Sequence, residues 1–292
     1  MTTNEYGVLV AVGPDGIHDG ALDLAGAEAV RRGTGVELVH VVHSLVSAPS
    51  SVEQMQSLDK TLTRVGREVL TDAADRLRAR VEGRAPMTTE IISGPVAGTL
   101  AVRAADADLV VMERRETGRA ERLLTMSVST RVAAHTTTPV VIVPERWKHR
   151  YEEASLPVTV GVDRALDAPS QVENALAYAR DAGRPLVVLH AAWLAEQYQD
   201  LGFRNSTRDV WRHDAERELE LALAKVPDLD TVDVSVDVPW RRPVEALVGA
   251  TKTSYLLVLS RRDEHPLGAH LGPMTRTVLR HAEGPVMVVG RT

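Results

Sequence analysis

Apolar residues in this chain fall into short, nearly continuous runs separated by longer stretches with helical spacing. In the first half such runs cover 8–12, 36–42 and 108–112, and they do not alternate between apolar and polar positions. Uninterrupted apolar runs are typical of strands buried on both faces, as in parallel sheets. Strands that alternate with helices indicate βαβ units. The pattern therefore predicts an α/β fold built on a parallel sheet.

Each half of the chain is predicted to contain five strands. A weaker run at 88–92 and a closing run at 139–143 complete the set in the first half. The second half repeats the scheme with runs at 158–162, 186–191, 232–236, 255–259 and 285–289. The second helix is predicted at 52–80 in the first half and, shorter, at 207–224 in the second.

The two halves are copies of one plan. The run Val8–Val12 recurs 150 positions later as Val158–Val162, and the second run reaches a histidine in both copies, at His40 and His190. A repeat of this length exceeds the roughly 20 to 50 residues of solenoid units. We therefore predict two tandem domains.

The boundaries of these domains follow from the repeat. The first domain is expected at 1–147 and the second at 155–292, with a charged linker at 144–157 that has little apolar surface to bury. In an open sheet of this kind, ligands bind beyond the carboxyl ends of the strands, where the strand order reverses. The loops after the first and fourth strand of each domain are therefore the candidate sites.

Composition narrows the classes of function. A net charge of −6 argues against nucleic-acid binding, which requires a basic surface. No apolar run approaches the ~20 residues of a membrane span, and the first residues lack the basic and apolar regions of a secretory signal. The chain has no cysteine, so disulfide and thiolate chemistry are excluded. We expect a soluble, cytoplasmic protein.

Several segments resemble the universal stress protein (UspA) family, and in particular its tandem two-domain members. They are the Gly94-Pro95 entry to the third helix, the apolar strand at 107–111 and the Pro-Val-Val-Ile-Val ending at 139–143. The resemblance implies a Rossmann-like fold of the adenine nucleotide alpha hydrolase type. Each domain would be doubly wound, with a five-stranded parallel sheet in the order 3-2-1-4-5 flanked by helices. It also implies a role in the stress response.

Nucleotide-binding members of that family carry an aspartate at the end of strand one. After strand four they carry a Gly-x-x-Gly loop, followed about nine residues later by Gly-Ser or Gly-Thr, because glycine lets backbone N–H groups wrap phosphates. The first half departs from this motif: Gly13 replaces the aspartate, while Glu113, Glu116 and Met126 replace the glycines and Ser127 keeps the hydroxyl position. We expect that the first domain does not bind ATP in this way.

The second half departs less from the motif. It keeps Asp163 and Gly272 but has Ser260 and Asp263 at the loop glycines and Pro273, which has no N–H, at the hydroxyl position. ATP is therefore a candidate ligand of the second domain only. The candidate contacts are Asp163, Arg262, Gly268, Gly272 and Thr275. Asp163 has two readings, since it either contacts a ribose or metal ion or caps the following turn.

Paired arginines follow the fourth strand of both halves, at Arg114-Arg115 and Arg261-Arg262. They either hold an anionic ligand through bidentate hydrogen bonds or form a network with nearby carboxylates, and we favour the network. For His40 and His190 we favour a structural role at the end of the sheet over catalysis or metal binding.

An aromatic and basic group stands at Trp240, Arg241 and Arg242, where the second half enters its third helix. It either stacks on a ligand or covers the sheet edge, and the second reading is favoured. No Walker loop, dinucleotide fingerprint or nucleophile elbow is present, so no catalytic residue and no metal ligand is assigned.

Three functional hypotheses remain. The first is a stress-response protein that acts by binding, with weak or absent adenine-nucleotide binding. The second is a nucleotide-independent interaction protein, and the third, less favoured, is an ATP-hydrolysing enzyme. The resemblance also implies that the two domains form an intramolecular pseudo-dimer through their closing strands, at 140–143 and 286–289, and it leaves room for a homodimer.

Overall fold

The structure is a computed structural model, and it divides into two compact units, Met1–His149 and Arg150–Thr292. The residues it describes are 5–42, 52–115, 127–148, 155–193, 205–261 and 271–290, without the side chains of 52–55 and 205–207.

The first unit alternates strands and helices along its described residues. Its strands are β1 (Val8–Ala11), β2 (Val36–Val42), β3 (Met87–Ser93), β4 (Leu109–Arg114) and β5 (Val140–Pro144). Its helices are α1 (Asp19–Arg32), α2 (Val52–Val81), α3 (Val96–Arg103) and α4 (Val128–His135).

The second unit repeats this order. Its strands are β6 (Val158–Gly161), β7 (Leu186–Leu189), β8 (Val234–Asp237), β9 (Leu256–Ser260) and β10 (Val286–Val289). Its helices are α5 (Ala168–Asp181), α6 (Asn205–Leu223), α7 (Pro243–Thr253) and α8 (Pro273–His281).

The sheet of each unit is parallel, and its first strand lies in the middle. In the first unit β1 pairs with β2 on one side and β4 on the other, so the strand order is β3-β2-β1-β4-β5. In the second unit the order is β8-β7-β6-β9-β10, which is the same topology. The predicted α/β class with strand order 3-2-1-4-5 is confirmed.

Helices cover the sheet as right-handed crossovers require. In the first unit α1 packs against α2 and α3 packs against α4, and the reversal of strand order after β3 places the two pairs on opposite faces. The second unit packs α5 against α6 and α7 against α8 in the same way. Strands between two helical layers must be apolar throughout, which explains why all seven residues of β2 are buried.

Two sequence predictions need correction. The first part of the expected linker belongs to the first unit, because Pro144 ends β5 and the Glu145 N–H donates to the Arg114 carbonyl at 3.1 Å. The strand predicted at 232–236 begins two residues later, because Leu229–Thr231 forms a turn of 3₁₀-helix first. None of the described helices combines the length and apolarity that a bilayer crossing requires.

Carboxylates on α1 hold the guanidinium groups of α2. Asp19 accepts from Arg76 at 2.6 Å and from Arg80 at 2.5 Å, and Asp23 also accepts from Arg80. Arg76 reaches the Ile17 carbonyl as well, at 2.8 Å. These bonds fix the start of α1 against α2 and therefore constrain the loop that precedes α1.

We predict that Asp19→Asn destabilises the first unit by about 1 kcal/mol at pH 7, in the range of exposed ion pairs. The hydrogen bond from Arg76 is the main cause that holds the pKa of Asp19 below its ordinary value. A lowered pKa stabilises the fold above the ordinary aspartate value of about 3.9, and this contribution is lost as the pH falls through the lower folded value.

Urea unfolding at pH 7 and pH 3, followed by circular dichroism, measures this difference, which should be smaller at pH 3. Asp75→Asn is the matched control, because the ion pair of Asp75 with Arg78 at 2.5 Å stays within α2. An equal loss of stability in Asp19→Asn at both pH values would contradict an electrostatic origin.

Candidate functional site

The loop after β1 is a tight turn with the sequence Gly13-Pro14-Asp15-Gly16. The Gly16 N–H donates to the Gly13 carbonyl at 3.0 Å. Gly16 has a φ of 86°, a left-handed conformation that glycine adopts without the steric penalty of a side chain. Proline second and glycine fourth are favoured positions in such turns. The turn directs Asp15 into solvent, where it is exposed.

Arg115, from the loop after β4, ties this turn to the neighbouring strand. Its Nη1 donates to the Asp15 carboxylate and its Nη2 donates to the Gly16 carbonyl at 2.8 Å. A Cβ atom built on Gly13 would lie only 2.5 Å from Arg115 Nη2. The guanidinium therefore occupies the space that a side chain at position 13 would need.

Glu113 is a buried carboxylate at the same edge of the sheet. Its side chain is only 5% exposed, and its Oε1 accepts from the His18 backbone N–H at 3.2 Å and from His18 Nδ1 at 2.7 Å. The other oxygen, Oε2, is buried, has no hydrogen-bond partner among the described residues, and lies 4.0 Å from Arg115 Nε. An anionic ligand here would therefore face a fixed negative charge.

His40 and His190 have equivalent structural roles in the two units. His40 Nδ1 lies 2.9 Å from the Val12 carbonyl, and His190 Nδ1 lies 3.1 Å from the Val162 carbonyl. Each ring bonds the residue that follows the central strand of its sheet. A Cβ on Gly66 would lie 2.7 Å from His40 Cδ2, so this glycine leaves room for the imidazole against α2. The geometry supports the structural reading.

The loop after β6 differs from its counterpart in the first unit. Asp163 is exposed, and its backbone N–H donates to Oε1 of the buried Gln171 at 3.3 Å. The chain then forms a 3₁₀ turn at Ala165–Asp167, where Arg164 pairs with Asp167 at 2.8 Å. The Asp163 carboxylate, predicted to contact a ligand, is therefore exposed at the carboxyl end of β6.

The last residue of β9, Ser260, carries a hydroxyl group at the carboxyl edge of the sheet. Ser260, which matches Glu113 of the first unit, has a buried Oγ that makes no hydrogen bond within the described part of the chain. Arg261 is buried, and its backbone N–H donates to the Val289 carbonyl at 2.7 Å. A buried hydroxyl without a partner is energetically costly, and a ligand or a water molecule would satisfy it.

Two other predicted contacts, Gly272 and Thr275, lie at the start of α8. Gly272 is the N-cap of this helix, Pro273 follows in its first turn, and Thr275 lies one residue beyond Met274. The first N–H groups of a helix lack intrahelical partners and favour an anion. Arg262 and Gly268 lie outside the described residues.

Arg115, of the first predicted arginine pair, forms ion pairs with carboxylates. Arg115 pairs with Glu113 at 4.0 Å, an acid beside its own loop as expected, and also with Asp15, a residue 100 positions away. The sequence signal for that contact is the Gly13 position, where an absent side chain makes room for the guanidinium. Among the described residues, no group of three or more histidine, aspartate or glutamate side chains is placed to hold a metal ion.

Trp240 lies in a larger aromatic and basic group than the sequence suggested. The guanidinium of Arg208 lies over the Trp240 ring at 5.5 Å, and that of Arg242 lies over the Trp193 ring at 5.6 Å. Trp193 and Arg208 were missed because they lie far from Trp240 along the chain. The pairing of Ala192 with Trp240 beyond the ends of β7 and β8 brings Trp193 and Trp240 onto neighbouring segments.

Comparison with known proteins gives consistent matches over both units. The profile of the Universal stress protein family matches residues 7–144 and 156–290. Universal stress protein Rv1996 of Mycobacterium tuberculosis is 27% identical over 313 aligned positions, which cover 99% of this chain and 96% of that protein. Universal stress protein Rv2005c of the same organism is 25% identical, with 97% of both chains covered.

A solved structure also matches the whole chain. The crystal structure of a universal stress protein from Archaeoglobus fulgidus superimposes with a TM-score of 0.65 at 18% identity, covering 99% of this chain and 98% of the other. At this identity the likeness supports the fold. Since the family profile matches nearly the full length in two tandem regions, the chain belongs to the universal stress protein family.

Proposed function

We propose that this protein acts in the stress response by binding rather than by catalysis, and that its second unit alone binds an adenine nucleotide, weakly. The observation that carries the proposal is the difference between the two sites. In the first unit Arg115 occupies the space beside Gly13 and Glu113 is a buried carboxylate. At the equivalent places the second unit has the exposed Asp163 and the Ser260 hydroxyl, which makes no hydrogen bond among the described residues.

The first unit opposes a phosphate chain for steric and electrostatic reasons. Arg115 lies against Gly13, where an aspartate side chain would stand in a nucleotide-binding member. A carboxylate about 4 Å from a phosphate charge adds a repulsion of about 4 kcal/mol in a half-buried site. The Glu113 carboxylate, whose second oxygen has no hydrogen-bond donor among the described residues, therefore disfavours a triphosphate here, and Arg115 Nε, 4.0 Å away, offsets part of this repulsion.

The second unit has groups suited to bind a nucleotide, but Pro273 removes one hydrogen-bond donor. Asp163 can accept from a ribose hydroxyl, Ser260 Oγ can bond a polar ligand atom, and the α8 N-terminus favours phosphate. Pro273 removes one N–H from the first turn of that helix. The loss of one charge-assisted hydrogen bond lowers affinity by about tenfold or more, which supports weak binding.

The competing hypothesis is a nucleotide-independent interaction protein. Pro273 and the occupied first site both favour it. An ATP-hydrolysing enzyme is less favoured, since no nucleophile with a matching base stands among the described residues at either site. We also propose a pseudo-dimer of the two domains through their closing strands, on the apolar sequences of 140–143 and 286–289 alone.

We predict that calorimetry with ATP and magnesium on the full chain finds at most one site. Asp163→Ala should weaken binding about tenfold, as expected for the loss of a charged hydrogen bond. Asp15→Ala is the matched control, because it removes an exposed aspartate from the equivalent loop of the first unit, and it should leave the affinity unchanged.

Each alternative result has a defined meaning. Unchanged affinity in Asp163→Ala would show that the second site is wrongly assigned. A loss of affinity in Asp15→Ala would place the nucleotide in the first unit. No binding to the unmodified protein, together with no nucleotide released when it is denatured, would favour the interaction protein.

A second prediction tests whether Arg115 occupies the first site. Gly13→Ala places a Cβ atom against Arg115 Nη2 and forces the guanidinium away from Asp15 and the Gly16 carbonyl. We expect a destabilisation of about 1 kcal/mol, the order of the hydrogen bonds lost.

The contact itself is isolated by a double-mutant cycle. In an Arg115→Met background the same Gly13→Ala change should have almost no effect on the urea midpoint, because the displaced group is gone. Additive effects of the two substitutions would mean that Gly13 and Arg115 are not in contact in solution.

A further inference from the structure

The outer face of α6 carries two large apolar side chains that the second unit does not bury. Val210 is 57% exposed and Leu221 is 64% exposed. They lie 11 positions apart in the sequence, which is close to three full turns of an α-helix, so both stand on the same line along the helix. The opposite face of α6 is the buried one, through Leu219 and Leu223. Packing within the unit therefore does not explain the apolar residues on the outer face.

Asp214 and Arg217 stand between these two residues on the same line. Their side chains are 54% and 71% exposed and form an ion pair of 3.2 Å. The steps from Val210 to Asp214, Arg217 and Leu221 are four, three and four residues. This spacing is typical of a seam along which one helix packs beside another. We call these four residues the α6 ridge.

The equivalent helix of the first unit, α2, has a different outer face. Among its described side chains at 61–81, no exposed position carries a large apolar group. Its exposed positions instead hold ion pairs, such as that of Arg64 with Glu68 at 2.6 Å. The apolar positions of the α6 ridge are therefore a property of this helix and not of the shared fold.

The α6 ridge is complementary to itself when two copies of the helix lie antiparallel. Each Val210 then faces a Leu221 and each Asp214 faces an Arg217, because the two pairs share one midpoint in the sequence. A two-fold axis between two identical subunits produces reciprocal contacts of this kind. In a parallel pairing each Asp214 would face another Asp214, and the like charges would repel. The order of charges along the ridge therefore selects the antiparallel arrangement.

We propose that the α6 ridge is a docking surface for a second copy of this chain, which binds through its own α6 in antiparallel orientation. The surface lies on a single helix, Asn205–Leu223, and includes neither the closing strands nor any residue proposed to contact a nucleotide. One helix pair buries less area than the roughly 1,200 Å² of a stable interface. The association is therefore weak and depends on protein concentration.

Cysteine cross-linking of the full chain tests this pairing, because the chain has no cysteine of its own. Val210→Cys and Leu221→Cys are purified separately, mixed at high concentration and oxidised with copper phenanthroline. The two thiols face each other in the antiparallel pair, whereas identical positions lie about 16 Å apart, beyond the Cα separation of about 7 Å that a disulfide tolerates. We expect the mixture to form disulfide-linked dimers at least about tenfold faster than either variant alone.

A charge exchange at the centre of the α6 ridge gives an independent readout. Arg217→Asp and Asp214→Arg each place like charges opposite one another, so each variant alone should self-associate about tenfold more weakly than the unmodified chain in sedimentation velocity. An equal mixture of the two variants restores opposite charges across the pair and should associate again. Effects within one helix cannot cause this recovery, because mixing does not change them.

Two matched controls use α2, the corresponding helix of the first unit. Leu58 is an exposed apolar residue of α2, so Leu58→Cys mixed with Val210→Cys should cross-link only at the background rate. Arg64→Asp reverses a charge within an exposed ion pair of α2 and should leave self-association unchanged.

Any of three results overturns the proposal. The first is cross-linking of the mixed cysteine variants that is no faster than that of either variant alone, which includes a preference of Val210→Cys for itself. The second is the failure of the two charge variants to associate when they are mixed. The third is self-association that persists unchanged in Arg217→Asp, which would place the contact between copies on another surface.

Discussion

The pairing of one central strand with a parallel neighbour on each side is the constraint from which the rest of each unit follows. In the first unit β1 forms ladders with β2 and β4 at once, and in the second unit β6 does the same with β7 and β9. Parallel neighbours need crossover helices, and the helices bury both faces of the sheet. All carboxyl ends then meet at one edge, which is where both units place their polar and charged loops.

The two units share the histidine that supports this edge of the sheet and differ in the loops that face the solvent. The histidine after the second strand bonds the carbonyl beyond the first strand in both units, at Val12 and Val162. The adjoining loops diverge: one is a glycine turn tied down by Arg115, and the other is a 3₁₀ turn that follows an exposed Asp163. The two units thus share a scaffold and differ in the loops at its carboxyl edge.

The fold could be read from the sequence because burial dictates the apolar runs. The strand at 36–42 was predicted to the residue, since every position in it is buried. The strand at 234–237 was misplaced by two residues, because its burial alternates and a 3₁₀ turn precedes it. The contact between Arg115 and Asp15 joins two loops 100 residues apart, and no local pattern encodes which acid a long side chain will reach.

Dissolved salt affects two contacts at the carboxyl edge of the first unit differently. The hydrogen bond of His40 to the Val12 carbonyl is buried, whereas Asp15, the partner of Arg115, has a side chain that is 84% exposed. Dissolved ions screen exposed charges over a Debye length of about 8 Å at physiological ionic strength and leave buried contacts largely unaffected. A rise in salt concentration therefore leaves the hydrogen bond between His40 and Val12 intact. It weakens the ion pair between Arg115 and Asp15, which joins the loops after β1 and β4.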